Sequence, residues 1–400
     1  MPLKKAFLMY FLASLFLFFE MAVQVSPSVM TSQLMKDLHF GVFGLGLMSG
    51  SYFYSYTAMQ LPSGALFDRF NPRLVMVISI LTCVLGCCLL GLSSNFILAC
   101  LSRILMGFGS AFAFVSVLVV TADLFPSRYF ATLTGVTQML AAFGAMSGQL
   151  PIHFLVNFLG WRPTLFVFAL IGLFIAALVY AFLRYDKKIF HSPSTAQVHP
   201  NFRAVLKNPQ TWLIAVYACL LWAPMSAFTS LWGVPFLIKV DHFAPATAAF
   251  FCSLMWLGLA IASPCLGYVC TLFSNNKAGL VSSALLGLLA FTGILFFSLN
   301  AWEMVSLLFL AGAACAGQAL SFTLVKENNS PKIIASAIAF NNMAVVISGA
   351  IFQPLVGWIL RELGENIFGY RMALSVVFGA YLLGFLISFW GIRKPSSNAV

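Results

Sequence analysis

Of the 400 residues, 61% are hydrophobic and only 8% are charged, with 42 phenylalanines and a formal net charge of +11. A soluble domain carries about 25% charged residues, so soluble globular folds are excluded. The same apolar excess excludes disorder. Repeated apolar runs of 18 or more residues read as membrane helices, and the chain is an all-α polytopic membrane protein.

The first apolar run follows Lys4 and Lys5 and extends to Phe19, in outline like a signal peptide. No small-residue cleavage site follows, and Glu20 and then Pro27 interrupt the chain, so a retained first helix is expected. Hydropathy places helices over 6–34, 41–66, 74–93, 96–123, 130–156, 162–183, 209–238, 246–272, 278–298, 302–325, 333–361 and 368–391. Several exceed the ~20 residues needed to cross a bilayer, which predicts tilt or kinks, with Pro27 and Pro151 as kink sites.

Between the second and third helices lies Gly64-Ala-Leu-Phe-Asp-Arg-Phe-Asn-Pro-Arg73. Its charges, Asp68, Arg69 and Arg73, cannot sit in lipid, so a short surface loop is expected. The glycine allows close backbone approach, and Pro72 ends any helix running through. The basic residues test the topology. Fifteen of the 21 fall on the side of the N-terminus and five on the other, with Arg103 inside the membrane. That is a positive-inside pattern with both termini cytoplasmic. The basic excess therefore reflects topology, and no nucleic-acid partner is expected. All nine cysteines lie in apolar stretches without a C-x-x-C pair, as small packing residues do, and neither metal nor cofactor is implied.

The longest polar connection, 184–208, separates two sets of six helices, 1–183 and 209–400, and Phe202 to Leu206 within it suits a short surface helix. The halves repeat. Gly267 to Lys277 lies about 203 residues after Gly64, in the same place in its half, with Thr271 where Asp68 stood. Gln149 and Gln353 match at a shift of 204. Repeated six-helix halves with a site at their interface are a transporter architecture.

Gly64-x-Leu66-x-Asp68-Arg69-x-x-x-Arg73 resembles the signature of the major facilitator superfamily (MFS). Arg103-x-x-x-Gly107-x-Gly109 and Gly160-Trp161-Arg162 resemble two further motifs of that family. The resemblance implies the twelve-helix MFS fold, alternating access, and a cavity lined by the first and fourth helices. One departure stands out: Gly135, Gly144 and Gly148 are spaced as in proton-driven drug exporters, but Gln149 replaces the exporters' proline. The overall style is similar to the solute-import branch that includes phagosomal transporters of intracellular bacteria and lysosomal dipeptide transporters.

Two charges fall deep in the membrane, Glu20 and Arg103. Such charges face a cavity or a partner. Glu20 lies ~21 Å from the start of its helix and Arg103 ~11 Å below the opposite surface, at 1.5 Å per residue, so in a ~30 Å core their depths nearly coincide. Either Glu20 carries a proton, or Arg103 clamps a substrate carboxylate while Glu20 holds an ammonium, or the two form a structural ion pair. Gln24, Gln138, Trp222, Asn341 and Asn342 are candidate orienting groups, with helix-tying as the plainer reading. Asp68, Arg69, Arg73, Asp123 and Arg128, with Gly64, form a candidate inner gate.

The expected function is a monomeric, proton-coupled importer of a small polar solute (amino acid, short peptide or organic carboxylate) in the bilayer of a bacterial inner membrane. No nucleotide-binding loop and no catalytic triad spacing occurs, so neither an ATP-driven pump nor an enzyme is expected. Drug or metabolite efflux and a non-transporting sensor remain open alternatives.

Overall fold

A computed structural model describes residues 3–126, 129–183, 202–273, 275–330 and 333–393. Among them run twelve long helical units: α1 (Leu3–Val29), α2 (Val42–Arg69), α3 (Pro72–Gly91), α4 (Phe96–Leu124), α5 (Phe130–Ser147 and Leu150–Leu159), α6 (Trp161–Phe182), α7 (Pro209–Lys239), α8 (Pro245–Leu272), α9 (Asn276–Phe296), α10 (Ala301–Glu327), α11 (Ile334–Leu363) and α12 (Ile367–Gly391). Eleven are long and apolar enough to cross a membrane. The other, α2, has the length but carries Ser49, Ser51, Tyr52, Tyr56 and Gln60 toward its neighbours. A short helix, Phe202–Lys207, precedes α7.

The expected loop at Gly64–Arg73 is corrected by this structure. Helix α2 continues through Gly64 to Arg69, where Phe70 N–H closes the last turn on Leu66, and Pro72 opens α3. Proline costs nothing at a helix's first turn, where its missing N–H has no intrahelical partner anyway. The junction is therefore two residues long. A Cβ at Gly64 would meet nothing within 4 Å, so no close approach occurs there in this conformation.

Several units are broken. The α-helical part of α1 stops at Val25 and a 3-10 turn covers Ser26–Val29, with Pro27 as expected. The short helix Thr31–Asp37 is separate, so the expected single helix 6–34 is shorter. In α5 the break falls at Gly148 and Gln149, just ahead of Pro151. Turns at Ala111–Phe112 in α4 and at Cys315–Ala316 in α10 stand at equivalent places, 204 residues apart. The middle of α7, Pro224–Trp232, is a π-helix.

The internal repeat reaches the level of single contacts. A Cβ at Gly107 would overlap the carbonyl oxygen of Tyr52, and one at Gly312 the carbonyl oxygen of Met255. Tyr52 and Met255 are themselves 203 residues apart, so α4 on α2 and α10 on α8 make one contact twice. Lys36, His39 and Phe40 recur as Lys239, His242 and Phe243, and both histidines take left-handed backbone, φ 54° and 57°.

At the face opposite the start of α1, helices of the first six meet helices of the second. Gly46 and Gly50 of α2 sit on Gln353 and Pro354 of α11, and a Cβ at Gly357 would come 2.7 Å from the Val42 carbonyl oxygen. The repeat-related glutamines both serve the π-segment of α7. Gln149 Nε2 donates to the Thr229 carbonyl at 2.9 Å, and Gln353 Nε2 to that of Ser226 at 2.7 Å. These amides satisfy carbonyls that a regular helix would engage internally.

The same face carries two acid–arginine groups. Asp37 accepts from Trp161 Nε1 and Arg162 Nη1, each at 2.8 Å, and these donors hold its carboxyl below the usual range. Asp241 lies near Arg371 and His242, but burial outweighs both and pushes its carboxyl up to about 6. A raised acid favours the protonated folded state, so its contribution is fully present below the unfolded value of 3.8 and is lost as pH rises through about 6. Wild type should therefore lose thermal stability relative to Asp241→Asn as pH rises from about 4 to 6, with the difference level above that and absent below pH 4, as read by melting curves. An unchanging gap across that window would remove this assignment.

Candidate functional site

The site is built on the break in α1. Pro27 has no N–H to give the carbonyl of Val23, four residues earlier, so that oxygen must find another donor. Ser26 Oγ supplies one at 3.1 Å and Arg103 Nη1 a second at 3.3 Å, while Arg103 Nη2 reaches the Gln24 carbonyl at 3.3 Å. A cation at a helix C-terminus also meets the negative end of the helix dipole. Arg103 is 1% exposed and lies over the ring of Tyr52, 4.6 Å from its centroid. The Tyr52 hydroxyl in turn donates to Glu20 Oε1 at 2.5 Å.

Tyr52 thus stands between the two deep charges. Glu20 and Arg103 make no ion pair. The ion pairs of the opposite face, Asp37–Arg162 and Arg361–Glu362, involve neither residue. The helix end at Val23 and Gln24 takes the role foreseen for the carboxylate. Glu20 is fully buried and its Oε2 has no partner.

Beside this group lies a central cavity of about 130 Å³. Gln24 from α1, Gln138 from α5, Trp222 from α7 and Asn342 from α11 line it, as does Tyr56 from α2. Both sets of six helices contribute. Glu20 and Arg103 do not line the cavity; Arg103 adjoins it through Gln24, and Glu20 through Tyr52, whose ring meets the lining residues Phe53 and Tyr56. Asn341 turns away and donates to Ser321 Oγ at 2.8 Å, tying α11 to α10. Its neighbour Asn342 donates to Gln60 Oε1 at 2.8 Å, tying α11 to α2 at the cavity wall. A larger open groove of about 500 Å³, with Phe43 and Arg361 on its wall, lies at the outer edge of the α2–α11 contact. It holds none of the buried polar group, so the central cavity is the candidate site.

Trp256 of α8 and Gln318 of α10 complete the wall. Trp256 was missed by sequence reasoning, although a signal existed. Tryptophans of membrane helices gather at the two interfaces, whereas Trp256 stands midway along Pro245–Leu272.

Of the gate residues, Gly64 and Arg69 lie in the last turns of α2, and Asp123 is exposed near the end of α4. Arg73 rests over the Tyr180 ring of α6, 4.8 Å from its centroid. Asp68 is placed by its helical backbone alone, and Arg128 lies outside the described residues.

Twelve long helices, eleven of them apolar enough to cross a membrane and internally repeated around a central polar cavity, define the architecture of the repeated-half membrane transporters. The chain belongs to the Major Facilitator Superfamily, whose family model matches residues 6–257. It is 26% identical over 190 residues to the probable sulfoacetate transporter SauU of Cupriavidus necator, covering 48% of this chain and 42% of that one. The putative transporter AraJ of Escherichia coli is 22% identical over 313 residues, covering 74% of this chain and 76% of AraJ. The fold matches a bacterial homologue of the human lysosomal transporter Spinster with a TM-score of 0.80, at 16% identity and full coverage of both chains.

Proposed function

We propose that this protein is a proton-coupled importer that moves a small polar solute by alternating access, with Glu20 as the proton carrier. One observation carries the reading. Glu20, Tyr52 and Arg103 form a buried chain of contacts that ends on the backbone of Gln24, and the Gln24 side chain lines the cavity. A proton gained or lost at Glu20 changes what Tyr52 can donate to, and Tyr52 is the surface on which Arg103 rests. The proton site and the solute site are thereby mechanically joined. The clamp form, in which Arg103 grips a substrate carboxylate, is less favoured because both Nη groups are engaged by Val23 and Gln24 and Arg103 does not line the cavity.

In this proposal residues 1–183 and 209–400 are the two moving halves, 184–208 is the linker, of which 184–201 lie outside the described residues, and the packed α2–α11 face is one end of the rocking motion. The protein works as a monomer in the bilayer of a bacterial inner membrane, with both termini cytoplasmic. Proteoliposomes loaded with unlabelled solute should take up labelled solute transiently above equilibrium by exchange; simple leakage without overshoot would refute transport. The junction Gly64–Arg73, with Asp123 and Arg128, is the inner gate. Asp68→Asn should slow exchange several-fold while solute affinity stays at the wild-type value; the reverse pattern would remove the gate role.

A further inference from the structure

The cavity wall offers hydrogen bonds and flat rings but no charge. Resting on the transporter reading, we propose that the solute is uncharged and carries a flat, hydrogen-bonding ring, the chemistry of a nucleobase or its nucleoside. Three features of the wall support this.

The first is charge. Among the described lining residues there is no Asp, Glu, Lys, Arg or His. The nearest buried ions, Arg103 and Glu20, do not line the cavity; Arg103 Nη1 and Nη2 are held by the carbonyls of Val23 and Gln24 and Glu20 Oε1 by Tyr52, with Arg103 Nε and Glu20 Oε2 unpartnered. A carboxylate or ammonium entering this space would shed its water without gaining a counter-charge, and such uncompensated burial is strongly unfavourable. An uncharged solute only exchanges one set of hydrogen bonds for another.

The second is shape. Trp222 and Trp256 meet edge to face, with ring centroids 6.3 Å apart, and Tyr56 lines the same space from α2. Aromatic walls of this kind receive the face or edge of a planar ring.

The third is an unmade bond. Trp256 is 1% exposed, and its indole N–H has no hydrogen-bond partner. A buried donor left unpaired is costly, and a ring carbonyl or ring nitrogen of the solute would satisfy it. The side-chain amides of Gln24, Gln138 and Gln318 also line the cavity and make no hydrogen bond to a described neighbour. Each amide presents a donor and an acceptor side by side, the same pairing that the edge of a nucleobase presents.

The test uses the full-length protein purified in detergent. Uridine and adenosine are the uncharged ring probes; sulfoacetate, glutamate and dialanine are the charged ones. Binding is read by thermal shift and titrated by calorimetry. The nucleosides should raise the melting temperature, and the charged compounds at equal concentration should not. Trp256→Phe keeps the ring but loses the N–H, and should weaken nucleoside binding about tenfold. Gln138→Leu, at an exposed cavity-lining position on α5, should weaken it as well and guards against a folding defect in the first variant. The proposal is overturned if charged probes bind as well as nucleosides, if no nucleoside binds, or if both variants bind as wild type does. Exchange in proteoliposomes separates the two readings. Exchange of sulfoacetate would keep the transporter and sink the uncharged solute, whereas nucleoside binding without any exchange would sink the transporter alone.

Discussion

Glu20→Gln is expected to abolish solute accumulation driven by a pH gradient while leaving solute exchange at equal pH close to wild type. The substitution keeps the size of the side chain and an oxygen for the Tyr52 hydroxyl, 2.5 Å away in the native protein. The packing around α1 and α2 should therefore survive, and so should the Arg103 cap on Val23 and Gln24. What the amide cannot do is take up and release a proton. Uptake should fall to the exchange level at every gradient tested, with little change in melting temperature. Glu20→Ala separates the two effects, because it also leaves the buried Tyr52 hydroxyl without its acceptor, at a cost of about 1–3 kcal/mol. If Glu20→Gln still accumulates solute in response to a pH gradient, the proton is carried elsewhere.

The second large effect is structural. Gly107→Val should prevent α4 from seating on α2, because even its Cβ would overlap the Tyr52 carbonyl oxygen. Overpacking in a dense interior costs about 1–3 kcal/mol, and here backbone rather than a flexible side chain must yield, so the upper end or beyond applies. The damage is not confined to packing, since Tyr52 also binds Glu20 and supports Arg103. Size-exclusion profiles and melting curves should show loss of folded protein. Gly312→Val should act alike at the repeat-related α10–α8 contact. Gly64→Ala is the contrast: its site is open, and folding should be unaffected. A well-folded Gly107→Val protein would contradict the contact.

Much of the fold was legible because hydropathy reports length and polarity, which is what a bilayer selects. The twelve helices follow from the apolar runs, and Pro27 announced the break in α1 because proline removes a specific donor. The deeper repeat was also present in the letters: Lys36, His39 and Phe40 recur at Lys239, His242 and Phe243. The relation between Glu20 and Arg103 was not legible. Matching depths suggested a pair, but depth says nothing about which carbonyls a kink leaves unpartnered, and those carbonyls compete for the guanidinium. The π-segment of α7 was hidden for a related reason, since it is stabilised by groups distant in sequence, Gln149 for Thr229 and Gln353 for Ser226. Neighbouring Asn341 and Asn342 looked equivalent on paper, and helix geometry turned one toward α10 and the other toward the cavity. The junction at Gly64–Arg73 is tighter than its charges implied, because proline begins a helix as readily as it ends one.

The joining of proton and solute is tested most directly in proteoliposomes that contain the wild-type protein, a pH-sensitive dye and the solute that stabilises the fold best. With an inward-directed proton gradient, solute should accumulate above its outside concentration, protons should enter with it, and a protonophore should abolish the accumulation. Accumulation that ignores the gradient, or proton entry unaltered by the solute, would contradict the account.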